Sequence, residues 1–318
     1  MLRILKLLCF LLLALGLSAP SIASAWKVKA TSIDQLLDNP SLKSAEGKPI
    51  RVFSLTKASP SKRNLIGPKY LIQGGLHGNE TLTSKYVLWL VDRLTKNVGS
   101  LKDLPVGTTI DFVPYASPDT YGKSRYNTNN INLNRNFSVL WGMADEPTGP
   151  YPFSEPETNA IRQLMQLRKY TSAVDVHGYV NWVVVPTKPS FFKGVTPEVK
   201  KTYDRWIQAV EGNMGLLKGY ELKSAGTLGD GGAFEDWAFW QNNTLSFCLE
   251  LKPLKDLSAH PLREFEQLEL FIQKMFAEAR IIKGSNLLVK GPVRSVPGKV
   301  QTHSRQKAPN LNNYKPSF

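Results

Sequence analysis

Residues 70–80 read Tyr70-Leu71-Ile72-Gln73-Gly74-Gly75-Leu76-His77-Gly78-Asn79-Glu80. An apolar run of strand length meets two glycines and a polar turn. A stretch from 83 to 95 follows, with a wide apolar face built from Tyr86, Leu88, Leu90, Val91 and Leu94. That is a strand, a tight loop and a helix in succession. The same order recurs outward from it. Further apolar runs of strand length lie at 50–55, 109–115, 173–177, 182–186 and 245–251. Helix-like stretches occupy 155–170, 197–218 and 261–283. The first of these opens acidic beside a proline and ends basic, which suits the helix dipole. Alternating strands and helices predict an α/β layered sheet covered on both faces. Such sheets gather ligands at the carboxyl ends of their strands, so the loops after the strands are where chemistry is expected.

Composition narrows the partners. The 318 residues are 42% hydrophobic and 10% aromatic, enough for a buried core and too apolar for a disordered chain. Mean hydropathy is −0.23, which argues against a multi-spanning membrane protein. The formal charge of +14 invites an anionic partner, but it is unevenly placed. Arg3 and Lys6 precede an apolar run at 7–17, and Ala23-Ser24-Ala25 offers a small-x-small cleavage pattern. Residues 1–25 are therefore expected to be a cleaved secretory signal, making the protein exported, to the periplasm or beyond. Residues 283–318 hold seven basic residues and no acidic one, without sustained periodicity, and read as a flexible basic tail. Between them, 26–282 forms one domain near +5. Seven tail charges without interleaved aromatics give no basis for nucleic-acid binding. Weak contact of the tail with an anionic envelope is the more modest expectation. With Cys248 alone in the mature chain, no internal disulfide is expected.

Four groups of residues carry chemistry. His77 and Glu80 stand in a His-x-x-Glu spacing that can turn both side chains to one metal, and imidazole with carboxylate suits zinc. His177 ends the run Ala173-Val174-Asp175-Val176-His177, at a strand end where a third ligand belongs. The segment from Arg125 to Phe137 is asparagine-rich and contains Asn134-Arg135; a forked guanidinium with a neutral amide donor is suited to a carboxylate. Glu250 sits inside an apolar strand, where a carboxylate is unfavourable unless paired or catalytic, unless the strand lies at a sheet edge. His260 and His303 are given no role.

Together and in this order, His77/Glu80, Arg125, Asn134-Arg135, His177 and Glu250 resemble the zinc metallocarboxypeptidase (funnelin) family. Asp236-Trp237 ahead of Glu250 is similar to a pair found there too. The nine-residue step from Arg125 to Asn134 and the export signal place the resemblance nearest the compact bacterial murein peptide amidases, which cut γ-D-glutamyl-diaminopimelate bonds. The resemblance covers roughly residues 50–280. It implies a mixed, mainly parallel sheet of about eight strands sandwiched by helices, with one zinc ion per chain held by His77, Glu80 and His177. It implies Glu250 as general base, Arg125 as oxyanion stabiliser, and Asn134 and Arg135 as holders of a peptide's terminal carboxylate. Glu235 falls at the base of the side-chain pocket, where an acid favours a cationic group on the released residue; a solvent-facing Glu is the bland alternative. Departures are Asn132 in place of an Asp, Ser117-Pro118-Asp119-Thr120 in place of Asn-Pro-Asp-Gly, and Leu228 where digestive members carry a tyrosine. Tyr220 is a weak substitute for the last. Two other readings stay open: a zinc deacylase of the aspartoacylase/desuccinylase type, and a non-catalytic peptide-binding module.

Overall fold

The computed structural model describes residues 26–59, 66–229, 231–253 and 261–284. The expected signal, His260, His303 and all of the tail beyond residue 284 lie outside the described residues. In chain order the elements are β1 (Trp26–Ser32), α1 (Ile33–Leu36), β2 (Arg51–Lys57), β3 (Lys69–Gly74), α2 (Thr81–Thr95) and β4 (Thr109–Val113). There follow α3 (Pro156–Arg168), β5 (Ser172–Gly178), β6 (Trp182–Val185), α4 (Pro197–Asn213), β7 (Glu221–Ser224), α5 (Phe234–Trp240), β8 (Leu245–Leu251) and α6 (Pro261–Gly284). All six expected strands and four expected helices are present, with ends shifted by a few residues. No helix among the described residues is long and apolar enough to cross a membrane.

One eight-stranded sheet runs β1-β2-β4-β3-β5-β8-β6-β7. Its centre, β4-β3-β5-β8, is parallel; β1–β2, β2–β4 and β6–β8 are antiparallel, and the edge strand β7 pairs in parallel with β6. The sheet is thus mixed, as expected. Strands β3, β5 and β8 are buried along nearly their whole length on both faces, so helices cover both sides. The sequence pattern agrees: these strands are continuous apolar runs rather than alternating ones. Two strands escape that pattern for the opposite reason. β1 (WKVKATS) is an edge with four successive exposed residues, and β7 (ELKS) is a four-residue edge at the other side. Lysines on exposed edges discourage pairing with another chain. Helix α5 escapes because all seven of its residues are buried, leaving no polar face to mark a helical period.

The long helix α6 locks onto the sheet from behind. Phe276 stacks on Tyr70 with ring centroids 4.0 Å apart, and the Tyr70 hydroxyl donates to the Phe276 carbonyl at 2.9 Å. Cys248 is a buried free thiol, pushed up in pKa by burial and by nearby carboxylates, and is therefore chemically quiet.

Candidate active site

The carboxyl ends of β3, β5 and β8 meet at one place. After β3 the chain must turn sharply to start α2. Gly75 takes φ +68°, and a Cβ there would lie 2.9 Å from the Pro114 carbonyl oxygen. At Gly78 a Cβ would lie 2.2 Å from the Thr120 carbonyl oxygen, so only glycine lets this loop pack against residues 117–120. The turn delivers His77 and Glu80 to the strand ends. On β5, residues 175 and 177 share a face by the two-residue period of a strand. The ladder pairs His177 with Glu250 and Asp175 with Cys248 on β8. β8 lies between β5 and β6, so the edge-strand reading of Glu250 does not apply.

His77, Glu80 and His177 are all buried, and one ligand atom from each lies within 4.8 Å of the others. His77 Nδ1 is 2.8 Å from Glu80 Oε1, His177 Nδ1 is 3.1 Å from Glu80 Oε2, and the two Nδ1 atoms are 3.1 Å apart. Each outer nitrogen is already engaged. His77 Nε2 meets Asn132 Oδ1 at 2.8 Å, and His177 Nε2 meets Asp175 Oδ2 at 2.9 Å. An amide oxygen and a carboxylate can only accept, so each Nε2 carries the proton and each Nδ1 turns its lone pair inward. With both imidazoles neutral, two lone pairs and a carboxylate converge at these distances as a donor set for a cation. Nitrogen, nitrogen and oxygen donors, with the outer nitrogens anchored, fit a zinc ion.

The charges follow from this packing. Burial alone would raise Glu80, yet the two imidazoles hold its carboxyl well below the usual range. Burial lowers His77, and the Glu80 carboxylate only partly restores it. Burial also disfavours charge on His177, but Asp175 and Glu80 outweigh it and drive its pKa well up, so a metal binding there displaces a proton from Nδ1. Glu250 is pushed up to about 7, by burial first, with the Glu80 charge adding and His177 and Arg125 opposing.

The arginine–asparagine segment closes one side. Arg125 Nη1 reaches His77 Nδ1 at 3.0 Å and Glu80 Oε1 at 3.3 Å. Asn134 and Arg135 lie in a short 3₁₀ turn, Leu133–Arg135, capped by Asn132, whose Oδ1 accepts from the Asn134 backbone N–H at 3.0 Å. Asn134 Oδ1 accepts from the Phe234 N–H at 2.8 Å, which leaves its amide nitrogen as the free donor end. This bond also ties the turn to α5, where Trp237 stacks on Phe137 at 5.5 Å. Asp236 secures α5 in turn, accepting from the Thr187 N–H at 2.6 Å and hydroxyl at 2.7 Å. Glu235, in the first turn of α5, is 2% exposed, so the solvent-facing reading fails. Its charge and that of Glu250 both act on the Cys248 thiol.

Three of the sequence departures have a structural account. Asn132 accepts from the His77 ring as an Asp would. Asp119 is structural, taking the Ser44 hydroxyl and the Glu46 N–H, each at 2.9 Å. Tyr220 packs on the core with its ring 5.1 Å from Lys252 Nζ. Two functional neighbours carried no assigned role in the sequence reading. Asp175 was legible, two residues before His177 on one strand face. Glu146 was not: it lies in an irregular stretch, and no spacing announces that its carboxylate stands between Arg125 and Arg135.

A profile of the family described as zinc carboxypeptidase matches residues 23–278. Carboxypeptidase D of Mus musculus is 26% identical over 245 residues, covering 67% of this chain and 17% of that protein. Zinc carboxypeptidase A 1 of Drosophila melanogaster is 24% identical over 243 residues, covering 66% of this chain and 55% of that protein. The chain therefore spans about half or less of these relatives. Among solved structures, carboxypeptidase A from Helicoverpa armigera superposes with a TM-score of 0.61 at 20% identity, over 79% of this chain and 69% of that one. At that identity the likeness establishes the fold.

Proposed function

The chain belongs to the zinc carboxypeptidase family, and from that premise we propose that it hydrolyses the C-terminal amide bond of a peptide. The observation that carries this reading is the meeting of His77, Glu80 and His177 within 4.8 Å, with the β5–β8 register setting Glu250 beside His177. Zinc, when bound by those three residues, supplies a Lewis acid that polarises a carbonyl and acidifies water near neutral pH.

The chain's own residues do the rest. The Asn134 amide nitrogen and the Arg135 guanidinium grip the terminal carboxylate, which sets the cleaved bond one residue inward. Arg125 faces the oxygen that gains charge as the carbonyl carbon becomes tetrahedral. Glu250, ionised, takes a proton from the attacking water and passes it to the departing amine, so the carboxylate is regenerated each cycle. The buried Glu235 supports selection of a released residue with a cationic group. Lysine, arginine and the free amine of diaminopimelate all meet that condition. Within that set, we infer an exported enzyme acting on a cell-wall peptide, with ordinary peptide C-termini as the alternative substrate.

The test is direct. The zinc-loaded protein is incubated with muropeptides and with ordinary peptides, with and without chelator, and the products are weighed by mass spectrometry. A released C-terminal amino acid, lost with chelator, supports the reading; a released acyl acid places the chain with deacylases instead. Glu250→Gln is expected to lower turnover by several powers of ten while zinc content stays at one per chain. Near-normal turnover in that variant would sink the mechanism.

A further inference from the structure

The two arginines assigned to the substrate already share a carboxylate, and it belongs to the chain itself. Glu146 places Oε2 3.6 Å from Arg125 Nε and Oε1 3.6 Å from Arg135 Nη2. The same Oε2 accepts from the side-chain amide of Asn132. Burial would raise its pKa, but Arg125, Arg135 and the Asn132 bond hold it below the usual range, so it is charged at neutral pH.

Its setting differs from that of the structural ion pairs of this fold. Asp111 is fully buried, ion-paired with Arg168 Nε at 2.8 Å, and accepts from Arg168 Nη2 at 3.1 Å and the Tyr170 hydroxyl at 2.6 Å. Glu269 is buried, with Arg93 Nε at 2.9 Å and the Leu101 N–H at 3.1 Å. Glu146, by contrast, is 28% exposed, and both of its guanidinium contacts exceed hydrogen-bond length. It balances the arginines without clamping them. A peptide carboxylate seeking the same guanidinium edges meets a like charge already there. Both anions cannot share two cations at full strength, so the looser one yields.

We propose that Glu146 is an internal competitor for the substrate carboxylate, standing between Arg125 and Arg135 in the free protein and exchanging for the peptide's C-terminus on binding. It is then a specificity-determining residue. A free carboxylate can displace it, whereas an amidated terminus carries no charge with which to do so. The inference rests on the assignment of Arg125 and Arg135 to the substrate.

The test measures binding apart from turnover. N-acetyl-alanyl-alanine and its C-terminal amide are titrated calorimetrically into the zinc-loaded protein with Glu250→Gln, with and without Glu146→Gln. Removing two partly exposed ion pairs should tighten the free acid roughly tenfold, with the amide moving less than about twofold. Glu146→Asp, too short to span both arginines, should fall between, and it carries the test if the glutamine variant does not fold. An unchanged or weaker free acid overturns the proposal. So does a loss of zinc alongside weaker binding, since Glu146 would then be a prop for His77 through Asn132. If the parent protein cleaves no peptide yet Glu146→Gln tightens the free acid, the proposed activity fails and this inference stands. The reverse pattern separates them the other way.

Discussion

Replacing Asp175 with Asn isolates what the second carboxylate of the site contributes. Asp175 and His177 are 0% and 1% exposed, and the bond between them is 2.9 Å. The amide oxygen of Asn can still accept from His177 Nε2, so geometry is kept and only the charge is lost. Among the described residues, Asp175 Oδ1 and both polar atoms of Gln73, the register partner on β3, have no hydrogen-bond partner, so the substitution breaks no other bond of that carboxylate. A charge-assisted bond contributes about 1.5–3 kcal/mol and a neutral one about 0.5–1.5. The difference, about 1–1.5 kcal/mol, is roughly tenfold in zinc affinity. Competition against a chromogenic chelator measures it. The sign of the pH dependence is fixed by the structure too. Asp175 raises the proton affinity of His177 as well as its metal affinity, so wild-type protein faces more competition from protons. The gap between wild type and Asp175→Asn should therefore narrow as pH falls. A dissociation constant within twofold of wild type at alkaline pH, or a gap that widens toward acid, refutes the reasoning.

Two further outcomes are expected. Asp236→Ala strands the Thr187 N–H and hydroxyl in a buried site, at a cost of about 3 kcal/mol or roughly 6–12 °C in melting temperature; a loss below about 1 kcal/mol contradicts it. Because Glu250 must be ionised to take a proton and burial raises its pKa, kcat/KM should fall toward acid. The apparent pKa should lie between the ordinary 4.5 and about 7, the bound cation drawing it down from the upper value. A flat profile through that window counts against Glu250 as the base.

What was legible in the sequence was whatever a strand end fixes. His77, His177 and Glu250 each sit where an apolar run stops or carries a lone charge, and the fold brings them to one point because β3, β5 and β8 are central and parallel. What was not legible depended on packing across long separations. β1 and β7 read as polar because edges face water, and α5 lacked a helical period because it is wrapped on all sides. Asn132 looked like a departure until its contact with the His77 ring showed that an amide oxygen does the accepting. Glu146 comes from a stretch with no periodicity, so only space reveals its neighbours.

The pairing of His177 with Glu250 across the β5–β8 ladder has a further consequence. A loop can drift by fractions of an ångström, but a hydrogen-bonded ladder buried on both faces changes register only by whole residues, about 3.3 Å or more at a time. The spacing between a candidate metal ligand and the base is thus digital: held, or lost outright. Heat, mutation or crowding cannot detune it gradually, so the site should fail only when the sheet itself comes apart. Fine adjustment of reactivity is left to neighbours outside the ladder, Arg125 and the irregular segment bearing Glu146.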